Sequence, residues 1–173
     1  MLPLKISIAL FPVLIFLFTL MMFDSFKLIR LKTVLRTIVG GGIVALVCFA
    51  LNRWLISYYQ IEFVTYSRYM APVIEELIKA ALIIVLIRSS NIGFMVDAAI
   101  LGFAVGAGFA IIENIYHLQA RTDLNLFIWI LRGLGTAVMH GATTAIFAVI
   151  SKYVVDRYTS LNLIFFVPGL LVA

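Results

Sequence analysis

Eight polar side chains stand inside otherwise apolar stretches: Glu75, Glu76 and Lys79 in one, Glu113 and Asn114 in a second, Arg132, His140 and Thr144 in a third. Paired carboxylates suit general acid or base work on a water molecule. Glu and His are also zinc donors, and a catalytic zinc takes three protein ligands and leaves one position open. On a helix, Glu75 and Lys79 share a face and can pair, which leaves Glu76 about 100° away. Arg132, Thr136, His140 and Thr144 recur at four-residue steps and form one polar stripe. Ala98, Gly102, Gly106 and Ala110 repeat in the same way, a small-residue face on which a neighbouring backbone can approach closely, and Asn114 continues that row with Glu113 beside it.

The elements that hold these residues are apolar enough to need lipid. The chain is 64% hydrophobic, with a mean hydropathy of +1.16, against about 45–50% apolar for soluble domains. A core built from 173 residues cannot hide that excess. The net charge is +5, but the basic residues stand mostly between apolar stretches, which fits membrane topology and argues against nucleic acid as a partner. Cys48 is the single cysteine, so an internal disulfide and a cysteine metal site are both excluded.

Apolar stretches of about 18–25 residues span a bilayer as helices. The first span is expected from Leu4 to Phe23, retained rather than cleaved as a signal peptide, and an interfacial helix from Asp24 to Arg36 follows. The second span is expected from Thr37 to Ile56. A connector from Ser57 to Arg68, with Tyr58, Tyr59, Phe63, Tyr66 and the adjoining Tyr69, reads as an interfacial aromatic belt. Spans three, four and five are expected at Tyr69 to Ile87, Ile92 to Tyr116 and Leu126 to Ser151. A sixth begins near Leu161 and has 13 residues to Ala173, too few to cross about 30 Å. The expectation is an all-α polytopic transmembrane bundle, about five complete spans plus the start of a sixth. One membrane-embedded domain over 1–173 is expected, truncated at its C-terminal end.

Lys27, Arg30, Lys32, Arg36, Arg88, Lys152 and Arg157 fall on one side, and Arg53, Arg68 and Arg121 on the other. The positive-inside rule puts the richer side in the cytoplasm and the N-terminus outside, in a plasma or inner membrane. Most of the polar cluster then lies in the outer half of the bilayer. Each charge left in lipid would cost about 2.5–3.5 kcal/mol, so these groups must face one another or a wet cavity.

The run Pro72-Val-Ile-Glu75-Glu76-Leu-Ile-Lys79 resembles the Glu-Glu-x-x-Lys motif of the PrsW family of membrane proteases. Residues 97–114, from Asp97 through Gly102, Gly106 and Gly108 to Glu113-Asn114, resemble that family's second motif, and Arg132 with His140 and Thr144 its third. The likeness covers about residues 70–150, and the relatives include the CAAX-type prenyl-protein proteases and the CPBP proteins. It implies intramembrane proteolysis of a membrane-anchored protein substrate such as an anti-sigma factor, on its extracytoplasmic side. It also implies a further His motif on a later helix. By the resemblance, Glu75 or Glu76 is the base. Glu113 and His140 hold a metal, zinc being the suitable one, or orient water and oxyanion without it. Lys79, Asn114, Arg132 and Thr144 support them.

Blander roles remain open for single residues: a structural Glu75–Lys79 pair, a helix–helix hydrogen bond at His140, a counter-charge at Arg132, an interfacial Asp97 and a solvated His117 at a loop. Two other functions compete. A proton-coupled transporter or channel also uses carboxylates and His, though it commonly shows internal repeats, which this sequence lacks. A non-catalytic membrane scaffold on the protease fold is the other.

Overall fold

A computed structural model describes residues 29–89, 92–120, 126–158 and 162–172, with the single positions Phe11, Ile15, Phe18, Thr19 and Met22. The expected first span falls mostly outside the described residues. Every described element is helical. Helix α1 covers Leu31–Tyr59, the short α2 Phe63–Tyr69, α3 Ala71–Arg88, α4 Met95–Ala120 and α5 Leu126–Tyr158. A 3-10 turn at Leu163–Phe166 leads into α6, Val167–Val172.

Among the described residues, three helices are long and apolar enough to cross a membrane: Leu31–Tyr59, Met95–His117 and Ile130–Tyr158. Helix α3 has 18 residues, but Glu75, Glu76, Lys79 and Arg88 interrupt its apolar character. Along α1, Leu35, Val39, Ile43 and Leu46 lie on one face at three- and four-residue spacing, and each is more than half exposed. Such an exposed apolar stripe suits contact with lipid. The opposite face buries Val34, Ala45 and Cys48 completely.

Helix α4 is the central element. It is apolar on all sides, with Leu101, Ala104, Val105 and Phe109 fully buried, and it packs against α1 on one side and α5 on the other. Lipid tails are as apolar as leucine, so close van der Waals contact is the force that holds such helices together. The small-residue row provides the contact. A Cβ placed on Gly106 would collide with the backbone carbonyl of His140, and one on Gly102 would come within 2.8 Å of Ala145 Cα. The same closeness occurs towards α1, where Gly108 abuts the carbonyl of Ile38.

Several boundaries differ from the sequence reading. Residues 31–36 are the first turns of α1, with no break before Thr37, so an interfacial helix ending at Arg36 is not what forms there. The part of it from 24 to 28 lies outside the described residues. The connector is helical over α2, and Tyr66, expected in an exposed belt, is fully buried, while Tyr58, Tyr59, Phe63 and Tyr69 are exposed as expected. Helix α4 starts later than Ile92 because the Asp97 carboxylate accepts hydrogen bonds from the Gly93 and Phe94 amides at 3.1 and 2.9 Å, closing its first turn. Helix α5 runs seven residues past Ser151, carried by the Lys152–Asp156 pair at 2.7 Å, one helical turn apart.

A bulky side chain at Gly106 is expected to drive α4 from α5. Overpacking of this kind typically costs about 1–3 kcal/mol, and more where backbone is the obstacle. Gly106→Leu is therefore expected to lower the thermal midpoint of the detergent-purified protein or abolish its monodisperse peak. Gly135→Ala, whose Cβ meets nothing within 4 Å, is expected to leave both unchanged.

Candidate functional site

Lys79 is the least expected resident of the bundle: a lysine with 0% exposure. Its place on α3 turns its stem towards α4 and α5. Its ammonium donates to Glu76 Oε1 at 2.6 Å, lies 2.8 Å from His140 Nδ1 and sits 4.4 Å from the centre of the Phe109 ring. Helices α3, α4 and α5 each contribute a group to this one cation.

An ammonium has no lone pair, so His140 Nδ1 is the acceptor in that contact. The proton of a neutral imidazole then rests on Nε2, which donates to Glu113 Oε2 at 2.7 Å. Glu113 also accepts from Arg132 Nη2 at 3.2 Å through its other oxygen, and His117 Nε2 stands 3.5 Å from that same oxygen. A continuous chain follows: Glu76, Lys79, His140, Glu113, Arg132. It holds two carboxylates and two cations about one imidazole.

One layer along, Asn114 and Thr136 bond to each other across α4 and α5, with Asn114 Nδ2 2.8 Å from Thr136 Oγ1. Asn114 is 1% exposed, so this pair is a polar clasp inside the helix interface. Thr144 Oγ1 donates back to the His140 carbonyl at 2.7 Å. It steadies the turn that carries His140 and takes no part in the charged chain.

The structure corrects the expected pairing on α3. Lys79 bonds to Glu76, three residues back, and not to Glu75. Glu75 turns towards α1, where Asn52 Nδ2 donates to its Oε1 at 3.3 Å. Asn52 is itself fixed by the Tyr66 hydroxyl, which donates to Asn52 Oδ1 at 2.8 Å. Neither residue is a site candidate from the sequence, where Tyr66 reads as part of the aromatic belt. Asn52 carried a signal, being a polar residue inside an apolar span; Tyr66 carried none. His117 is also corrected: it lies within α4, against Glu113, because the helix continues to Ala120. Asp97 stays apart from the cluster as a cap.

A family model described as "PrsW family intramembrane metalloprotease" matches residues 30–173. No curated protein and no solved structure matches the chain.

The family description names a metal, and the donors can be tested for it. Among the described residues, no three His, Cys, Asp or Glu side chains are grouped to hold a metal ion. Both nitrogens of His140 are engaged, one by Lys79 and one by Glu113. These residues, as arranged, do not fit a resident metal.

Interhelical hydrogen bonds in membranes are worth about 0.6–1.7 kcal/mol. A double-mutant cycle of Asn114→Leu and Thr136→Val, read from unfolding in mixed micelles, is expected to give a coupling energy in that range.

Proposed function

The chain belongs to the PrsW family of intramembrane metalloproteases, and from that premise we propose that it is a membrane-embedded endopeptidase in which Glu75 activates the attacking water. One observation carries the assignment of the base. Of the three clustered carboxylates, Glu76 is held by Lys79, and Glu113 by His140 and Arg132. Glu75 accepts a single long bond, 3.3 Å from Asn52. It is the clustered carboxylate that no cation or imidazole holds by a hydrogen bond, and so the one freest to take a proton.

In the proposed reaction, water bound to Glu75 attacks the peptide carbonyl as its proton passes to the carboxylate. The oxyanion that forms needs a cation or donor aimed at it. Arg132 supports that role: it is partly exposed, and its buried Nε has no hydrogen-bond partner. Collapse of the tetrahedral species breaks the C–N bond, and the proton on Glu75 goes to the departing amine. Glu76, Lys79, His140 and Glu113 act as the frame. Their mutual bonds hold α3, which carries Glu75, to α4 and to α5, which carries Arg132.

The substrate class we propose is a single-span protein in the same bilayer, such as an anti-sigma factor, cut on its extracytoplasmic side. The charge asymmetry of the loops supports that side, and the membrane would be a plasma or inner membrane. The exposed apolar stripe of α1 supports residence in the same hydrocarbon layer as such a substrate.

Glu75→Gln keeps the shape of the side chain and removes its basicity. In proteoliposomes holding a membrane-anchored reporter substrate, it is expected to lower the cleavage rate by about 10²–10⁴-fold. Asn52→Leu is expected to lower it less. Undiminished cleavage by Glu75→Gln removes Glu75 as the base.

A further inference from the structure

A chain of hydrogen bonds reaches Glu75 from α1 and α2. Tyr66, on the short α2, has 0% exposure, and its hydroxyl donates to Asn52 Oδ1 at 2.8 Å. Asn52, on α1, donates from Nδ2 to Glu75 Oε1 at 3.3 Å. A carboxamide has one accepting end and one donating end. Turned over, it would set its oxygen against the Glu75 carboxylate. The Tyr66 proton on Oδ1 therefore keeps Nδ2 aimed at Glu75. We infer that Tyr66, acting through Asn52, is a positioning residue for the reaction: it pins Oε1 of Glu75 and leaves Oε2 to take the proton of the attacking water.

The backbone makes this link stiff. The chain leaves α1 at Gln60, which takes the left-handed conformation with φ 51°. It then passes from α2 into α3 with only Met70 between them. The Met70 amide donates to the Tyr66 carbonyl at 2.9 Å, and the Ile74 amide to the Met70 carbonyl at 3.1 Å. Backbone hydrogen bonds thus run from Tyr66 to Ile74, the residue before Glu75. The Tyr66 side chain meanwhile crosses to Asn52 on α1, and Asn52 returns to Glu75. Tyr66 is the aromatic residue of its group that turns inward, while Tyr58, Tyr59, Phe63 and Tyr69 stay exposed. Among the described residues, Glu75 Oε2 accepts no hydrogen bond, and it is the oxygen this closed loop leaves for water.

This inference rests on Glu75 as the base, and the test separates the two. Cleavage of a membrane-anchored reporter in proteoliposomes is measured for the full chain carrying Tyr66→Phe, which keeps the ring and removes the donor. The expected fall in kcat is about threefold to tenfold, the rate equivalent of one hydrogen bond. KM is expected to change by less than about twofold, because no substrate contact is lost. In an Asn52→Leu chain, adding Tyr66→Phe is expected to lower kcat no further, since its route to Glu75 is already cut. A full kcat in Tyr66→Phe, a loss that falls on KM, or the same fold loss with and without Asn52 overturns the inference. Glu75→Gln, measured alongside, locates the failure: impaired cleavage leaves the base assignment standing, and undiminished cleavage removes both. Should Tyr66→Phe not fold, Asn52→Leu decides by the same split. A loss in kcat alone upholds the positioning, and an unchanged kcat or a loss on KM overturns it.

Discussion

A lysine ammonium shut away from water has to be neutralised by whatever surrounds it, and the middle of this bundle is arranged around that need. Lys79 has no exposed surface. Burying an ion costs several kcal/mol after relaxation, and removing one partner of a buried pair costs about 3–5 kcal/mol. The compensation comes from separate helices: a carboxylate from α3 itself, a ring face from α4 and an imidazole from α5. The last then needs a partner for its own proton, which α4 supplies through Glu113. Each satisfied group thus calls the next helix into place.

The apolar part of the sequence makes that convergence geometrically possible. Gly106 lets α4 lie directly against the carbonyl of His140. Seven residues further along α4, about two turns, Glu113 meets the imidazole of that same His140. Asn114 and Thr136 clasp the two helices beside it. The small-residue row and the charged chain are therefore one device. Close packing brings the polar groups within hydrogen-bond reach, and the hydrogen bonds fix the packing register, which van der Waals contact between smooth apolar helices does not specify alone.

Much of this was legible in the sequence. Costly charges inside apolar stretches marked the cluster, the four-residue steps of Ala98, Gly102, Gly106 and Ala110 marked the packing face, and the motif order marked the family. Part of what escaped depended on partners distant in the chain. Spacing alone allows Lys79 to pair with Glu75 or Glu76; Asn52, on another helix, decides it by taking Glu75. Tyr66 is of an interfacial residue type, yet it is buried with its hydroxyl donating to Asn52. Asp97 is a carboxylate among apolar residues, as Glu113 is, and only the backbone amides of Gly93 and Phe94 distinguish a cap from a site residue. Helix ends slipped where a local pair, Lys152 with Asp156, prolonged a helix beyond its apolar stretch.

The proposed function follows from how the carboxylates divide: two bound to cations and the imidazole in the frame, one held only by Asn52. That division rests on the state of His140, because an imidazole that accepts from Lys79 and donates to Glu113 ties both frame carboxylates to one ring. The most direct measurement is 15N solid-state NMR of histidine-labelled protein in bilayers. The chain has two histidines, and a His117→Asn sample assigns the signals. The account predicts a neutral His140 with its proton on Nε2 and an unprotonated, hydrogen-bonded Nδ1. A proton on Nδ1, in either the neutral or the doubly protonated ring, would contradict it.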